Sequence, residues 1–199
     1  MDKDDFLLKR IRELANLSYQ RDIVTFTDFL NLNEQNMLAT LKLRQMGVSV
    51  KLFGGYDHAE RQMAAFYPGT VGFSWEYPID CLKITPKALR FSEELGHRDY
   101  LGAILNLGVD RSVVGDILIK DKEAWVFCLH KMSDFFIDNL VRVRHTTVLV
   151  TRVEQAEEIP EPQFEAISGT CASVRLDSLI GLAFQTSRSS MVSFIESGL

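Results

Sequence analysis

Residues 82–153, LKITPKALRFSEELGHRDYLGAILNLGVDRSVVGDILIKDKEAWVFCLHKMSDFFIDNLVRVRHTTVLVTRV, decide the fold, because their elements arrive in a recognisable order. Leu82 to Thr85 predicts a strand, and His97 to Leu107 a helix buried along Leu101, Ile104 and Leu105. Gly115 to Ile119 and Ala124 to Leu129 predict a hairpin across Lys120 to Glu123. Met132 to Val141 predicts a second helix, buried along Met132, Phe135, Phe136 and Leu140, and Val148 to Val153 the closing strand. The order β-α-β-β-α-β is a split βαβ, the ferredoxin-like arrangement that RNA-recognition domains also use. Such a fold hosts many activities, so function must be argued from particular residues.

Upstream, Asp5 to Tyr19 predicts an amphipathic helix with Leu7, Ile11, Leu14 and Ala15 on one buried stripe. A strand follows through Ile23 to Phe26. A second helix is capped by Asn33, stapled by Leu32 and Met37, and ended near Gly47. Val48 to Phe53 predicts a β-branched strand closed by Gly54 and Gly55. Asp57 and Glu60 have capping-box spacing for a short helix through Ala65, and Val71 to Tyr77 reads as extended. The fold class is therefore α+β. Residues 1–80 form an N-terminal α/β unit and 81–155 the ferredoxin-like domain. Residues 156–174 form a linker and strand, and 175–199 the start of another motif. The linker is marked by Glu157, Glu158, Glu161, Pro160 and Pro162.

The 199 residues are 46% apolar and 25% charged, the make-up of a folded chain with one or two cores. No apolar run approaches a membrane span and no secretory signal is evident, so the protein is expected in the cytoplasm without a membrane partner. Cys81, Cys128 and Cys171 are far apart in apolar or small-residue surroundings and are expected to be buried thiols. His58, His97, His130 and His145 are equally scattered, and no metal or cofactor is expected. The net charge of −5 does not exclude nucleic acid, because residues 154–174 alone carry five acids and no base.

Arg175 to Leu199, RLDSLIGLAFQTSRSSMVSFIESGL, predicts two short helices, one buried along Leu176, Leu179, Ile180, Ala183 and Phe184 and one along Met191, Phe194 and Ile195. Ser187 is placed to cap the second helix, and Arg188 stands where a phosphate would meet free backbone N–H groups. The pattern Arg175-Leu176-Asp177, then Ser187-Arg188-Ser189 and Ile195 with Gly198-Leu199, resembles the alpha-L RNA-binding domain of ribosomal protein S-four type. The sequence stops before the strand and basic turn that normally follow. Gly96-His97-Arg98-Asp99-Tyr100-Leu101-Gly102-Ala103, followed by Leu107-Gly108, Arg111 and Gly115-Asp116-Ile117, resembles the signature of the YlmH family. Gly54-Gly55-Tyr56 with Glu60-Arg61 fits it too, so the resemblance runs from about Phe26 to Leu199. It implies a bacterial RNA-binding protein of the large ribosomal subunit, with links to stalled-translation quality control and to cell division.

Other motifs carry less. His97-Arg98-Asp99 resembles a kinase catalytic loop, but Ile104 stands where the metal-binding Asn is required and no glycine-rich ATP loop exists. Arg175-Leu176-Asp177 with Gly181-Leu182 resembles the catalytic segment of pseudouridine synthases with the Gly one place off. Trp125 and Phe127 share one face of a strand, as base-stacking aromatics do, but the flanking signature is absent and core packing explains them. Arg142, Arg144 and His145 form the densest basic cluster, suited to phosphate contact or to a solvated turn. Arg98, Asp99 and Arg111 suit either RNA contact or an internal ion pair that fixes the loop around Gly115-Asp116.

The expected function is a non-catalytic RNA-binding protein on large-subunit ribosomal RNA, with tRNA on the ribosome as a further candidate and no small-molecule substrate. Arg175, Ser187 and Arg188 would carry one contact, Arg142 and Arg144 another, with Arg98 and Arg111 beside them. The rival readings are an RNA-modifying enzyme of pseudouridine-synthase type and a protein-interaction adaptor.

Overall fold

The computed structural model describes residues 3–69, 74–155, 158–161, 166–171, 173–186 and 191. The chain divides into two compact units, Met1–Pro160 and Glu161–Leu199.

The first unit holds two sheets. Helix α1 (Lys3–Arg21) buries Ile11, Leu14 and Ala15 against β1 (Thr25–Leu30), β3 (Gln62–Pro68) and β2 (Val48–Phe53), an antiparallel sheet in the order β1-β3-β2. Fully buried Ser18 closes the helix onto this sheet by donating to the carbonyls of Ile23 and Phe66.

Four local expectations are corrected here. Helix α2 (Leu32–Thr40) is capped by Asn31, not Asn33, in a reciprocal box with Glu34. Leu32 lies inside the helix and is 56% exposed, so it forms no buried staple. The helix also ends at Thr40; a separate 3-10 turn (Leu43–Met46) follows, closed by Gly47 at φ 74°. The fourth correction is larger: the helix expected over 57–65 is absent, and Gln62–Pro68 is the central strand β3. Met63, Ala64, Ala65 and Phe66 are all fully buried, so both faces of the strand are covered and the period-two signal is erased. Of the extended segment expected over 71–77, residues 71–73 lie outside the described set, and Ser74 to Tyr77 have no regular structure.

The second sheet is built from β4 (Ile79–Pro86), α3 (His97–Leu105), β5 (Val114–Lys120), β6 (Glu123–Leu129), α4 (Ser133–Asn139), β7 (Arg142–Val143) and β8 (Thr146–Arg152). Its order β5-β6-β4-β8-β7 is antiparallel throughout, so the ferredoxin-like expectation holds with a two-residue edge strand added. Leu82, Ile84, Val126, Cys128, Val148 and Val150 point to the helix side, where α3 and α4 cover them. The largest fully buried side chain on that side is Tyr100, which the sequence reading missed. Phe135, expected inside, is 37% exposed while Phe136 is buried.

Two glycines let the sheets approach. A Cβ on Gly115 would lie 2.7 Å from the Phe29 ring, and one on Gly55, at φ 103°, would run into the Phe127 ring. In the second unit, α5 (Leu176–Ala183) is capped by Arg175, where the first of the two terminal helices was expected, but the expected buried face is corrected: Leu176, Leu179, Ala183 and Phe184 are exposed, and Asp177 and Gly181 are the buried positions. Of the second helix only Met191 is described; the strand expected at 164–174 is corrected, since neither 166–171 nor 173–174 is strand, while 164, 165 and 172 lie outside the described residues.

Candidate nucleic-acid interface

On α3, Arg98, Gly102 and Asn106 recur at four-residue spacing and therefore share one face. That face lines a groove of about 550 Å³, closed on its far side by the end of α4 at Asn139 and by Arg142 and Arg144 of the β7 edge. Arg98 is thus brought beside Arg142 and Arg144, from which it is distant in sequence, and all three are exposed. Gly102 leaves the groove open, since a Cβ there would meet nothing within 4 Å. Arg144 sits at φ 50° in the turn into β8, a conformation that aims it back toward α3. Its guanidinium lies 3.5 Å from Asp99, which also accepts the Gly96 N–H at the helix start. One acid against three cations leaves a basic groove with two amide side chains at its rim. Nothing in the sequence tied Asn106 and Asn139 to these arginines, because each merely ends its helix.

The other predicted residues go elsewhere. Arg111 is half-buried and donates to the carbonyls of Val114 and Gly115, while Arg61 donates to those of Val114 and Phe29. Burial lowers both pKa values, and the neighbouring Arg61 helps push Arg111 down to about 10. The expected ion pair among Arg98, Asp99 and Arg111 is therefore corrected: Asp99 pairs with Arg144, and Arg111 fixes the Gly115 loop through main-chain carbonyls. Asp116 completes this junction, accepting from the Tyr56 hydroxyl at 2.9 Å and from the Glu60 and Arg61 N–H groups at 2.7 and 3.1 Å. Arg175 lies 3.2 Å from the buried Asp177 and keeps most of its surface exposed. Ser187 and Arg188 lie outside the described residues.

Trp125 and Phe127 are 4% and 1% exposed, in a cluster with Phe29 and Met63 of the N-terminal sheet. The face that stacks bases in RNA-recognition domains is covered here, with Tyr56 stacked on Phe127 at 4.8 Å and Lys83 lying 5.1 Å from the Trp125 centroid. Cys81 and Cys128 are buried as expected and burial pushes their thiols up to about 12, whereas Cys171 is exposed, contrary to expectation. Among the described residues, no three of His, Cys, Asp and Glu gather as metal ligands would, and no helix is long and apolar enough to cross a membrane.

Residues 75–157 match the family described as "Putative RNA-binding domain in YlmH". The chain is 27% identical over 186 residues to the ribosome-associated protein quality control protein P2 of Bacillus subtilis, covering 87% of this chain and 67% of that protein. Its fold is similar to that of the cell division protein ylmH from Streptococcus pneumoniae, with a TM-score of 0.63 at 22% identity, over 80% of this chain and 96% of that one. The resemblance read from the glycine-rich central signature is thereby upheld.

Proposed function

We propose, from the premise that residues 75–157 are an RNA-binding domain of the YlmH type, that this protein binds ribosomal RNA without catalysis, on the large subunit, in ribosome-associated quality control. The observation that carries the reading is the groove that gathers Arg98, Arg142 and Arg144 on the helix side of the domain. Guanidinium groups at the edge of an open groove suit phosphate oxygens, which position a protein on RNA without reading its sequence. Shape and backbone recognition of this kind is the usual way proteins hold folded RNA.

The name of the Bacillus relative supports the ribosomal setting. Arg175, Ser187 and Arg188 supply a second contact in this reading, and tRNA held on the ribosome and a role in cell division extend it. Sedimentation with purified large subunits at low salt tests the proposal. The chain should travel with the subunits, and Arg142→Ala with Arg144→Ala should release it. Failure to co-sediment, or attachment that survives nuclease digestion, would transfer the assignment to a protein partner. A base modification lost from ribosomal RNA when the protein is removed would favour an enzyme instead.

A further inference from the structure

The sheet face that would receive bases in an RNA-recognition domain is closed by the protein's own residues, Tyr56 on Phe127 and Lys83 beside Trp125. A different aromatic surface stands open nearby. On the side of the N-terminal sheet away from α1, Tyr67 and Phe53 meet the segment Ser74 to Tyr77, whose rings lie across the strands. Ring centroids are 5.6 Å apart for Tyr67 and Trp75, 5.2 Å for Trp75 and Tyr77, and 5.3 Å for Phe53 and Tyr77. Phe26 backs the row at 5.8 Å from Trp75 and 5.6 Å from Tyr77.

These rings line a groove of about 730 Å³, within the roughly 300–1,000 Å³ range of small-ligand sites. Tyr67, Trp75 and Tyr77 are all half-buried, so each keeps ring surface within reach of a ligand. Tyr77 is held in place by its hydroxyl, which donates to the Lys51 carbonyl at 2.8 Å, so the wall is organised before anything binds. The exposed Lys51, Ser74 and Glu76 stand at the rim, one cation and one carboxylate.

We infer that this groove, walled by Tyr67, Trp75 and Tyr77 with Lys51 at its rim, holds an unstacked nucleobase of single-stranded RNA. The half-buried rings leave surface on which a base can pack, and the Lys51 cation meets the phosphate that every nucleotide carries; together these are the two parts of a single-strand binding platform. An aliphatic protein segment would find rings fixed in mutual contact and a charge it does not use. The inference rests on the RNA-binding reading, but it names a site on a different face, with a contact that requires a base in addition to a phosphate.

The test uses the full chain with Trp125→Phe, which leaves Trp75 as the single indole. The Trp125 Nε1 has no hydrogen-bond partner, so this change removes no bond. Titration with oligouridylate should quench Trp75 over the same concentration range in which fluorescence anisotropy of labelled RNA reports binding. An abasic oligomer of equal length and charge should bind through the arginine groove without quenching. Tyr67→Leu should weaken oligouridylate binding roughly tenfold and leave the abasic oligomer unaffected. Lys51→Glu, on an exposed side chain, should also weaken it and keeps the test decisive where loss of a ring harms folding. Binding of oligouridylate with Trp75 unquenched, or equal affinity for the two oligomers, overturns the inference while the RNA-binding reading stands. Failure of both oligomers to bind overturns both readings.

Discussion

A single carboxylate joins the two sheets. Asp116 receives the Tyr56 hydroxyl and two successive backbone N–H groups, those that a helix start at Glu60 and Arg61 would have left free. This accounts locally for why the capping-box spacing at Asp57 and Glu60 leads into a strand. Removing the carboxylate strands three donors at a partly buried junction, so Asp116→Ala should cost about 2–4 kcal/mol. Urea unfolding should show a lower midpoint at unchanged slope. Asp80 supplies a pH dependence. Burial raises its pKa, but the bonds from Ser133 and His130 and the charges of His130 and Arg152 outweigh that and hold it below its ordinary 3.8. A carboxylate with a depressed folded-state pKa stabilises fully above its unfolded value, and the gain is lost as pH falls through the folded one. Stability should therefore decline below about pH 4 in part through Asp80, and Asp80→Asn should flatten that acid limb in denaturation followed by circular dichroism.

At the scale of elements, the ferredoxin-like order was legible because each piece shows its own period. Alternation marks β8, where Val148 and Val150 are buried between exposed neighbours, and three-and-four spacing marks α1. The reading failed where both faces are covered. Met63-Ala64-Ala65-Phe66 has no alternation and includes two good helix formers, and only the contacts of β1 and β2 on either side make it a strand. The arginine groove was half legible: composition picked out Arg142 and Arg144, but joining them to Arg98 requires the packing of α3 beside β7. Gly102 gives this groove a clean test. Gly102→Ala should stabilise α3 by about 0.5–1 kcal/mol, since a Cβ there meets nothing. Gly102→Glu should leave thermal unfolding at or above the wild-type midpoint while an acid among three arginines lowers RNA affinity. Unchanged RNA affinity in a stably folded Gly102→Glu protein would count against the groove.

At the scale of the whole molecule, the packing of one sheet on the other determines which surfaces remain for RNA. Phe29 and Met63 from the N-terminal sheet bury Trp125 and Phe127, so the ferredoxin-like domain presents its helix side and its β7 edge as the open basic surface. Because Gly115 is in close approach to Phe29, Gly115→Val should drive the sheets apart at a cost of about 1–3 kcal/mol. It should also expose Trp125, which a red shift in its emission would report. Phosphate contact by Arg98, Arg142 and Arg144 is read from the salt dependence of RNA affinity. Each phosphate contact contributes about 0.7–0.9 to the slope of log K against log salt concentration. Replacing all three arginines by Ala should lower the magnitude of that slope by roughly 2–3 and weaken binding most at low salt. A slope identical to that of the wild-type chain would show that these arginines touch no phosphate.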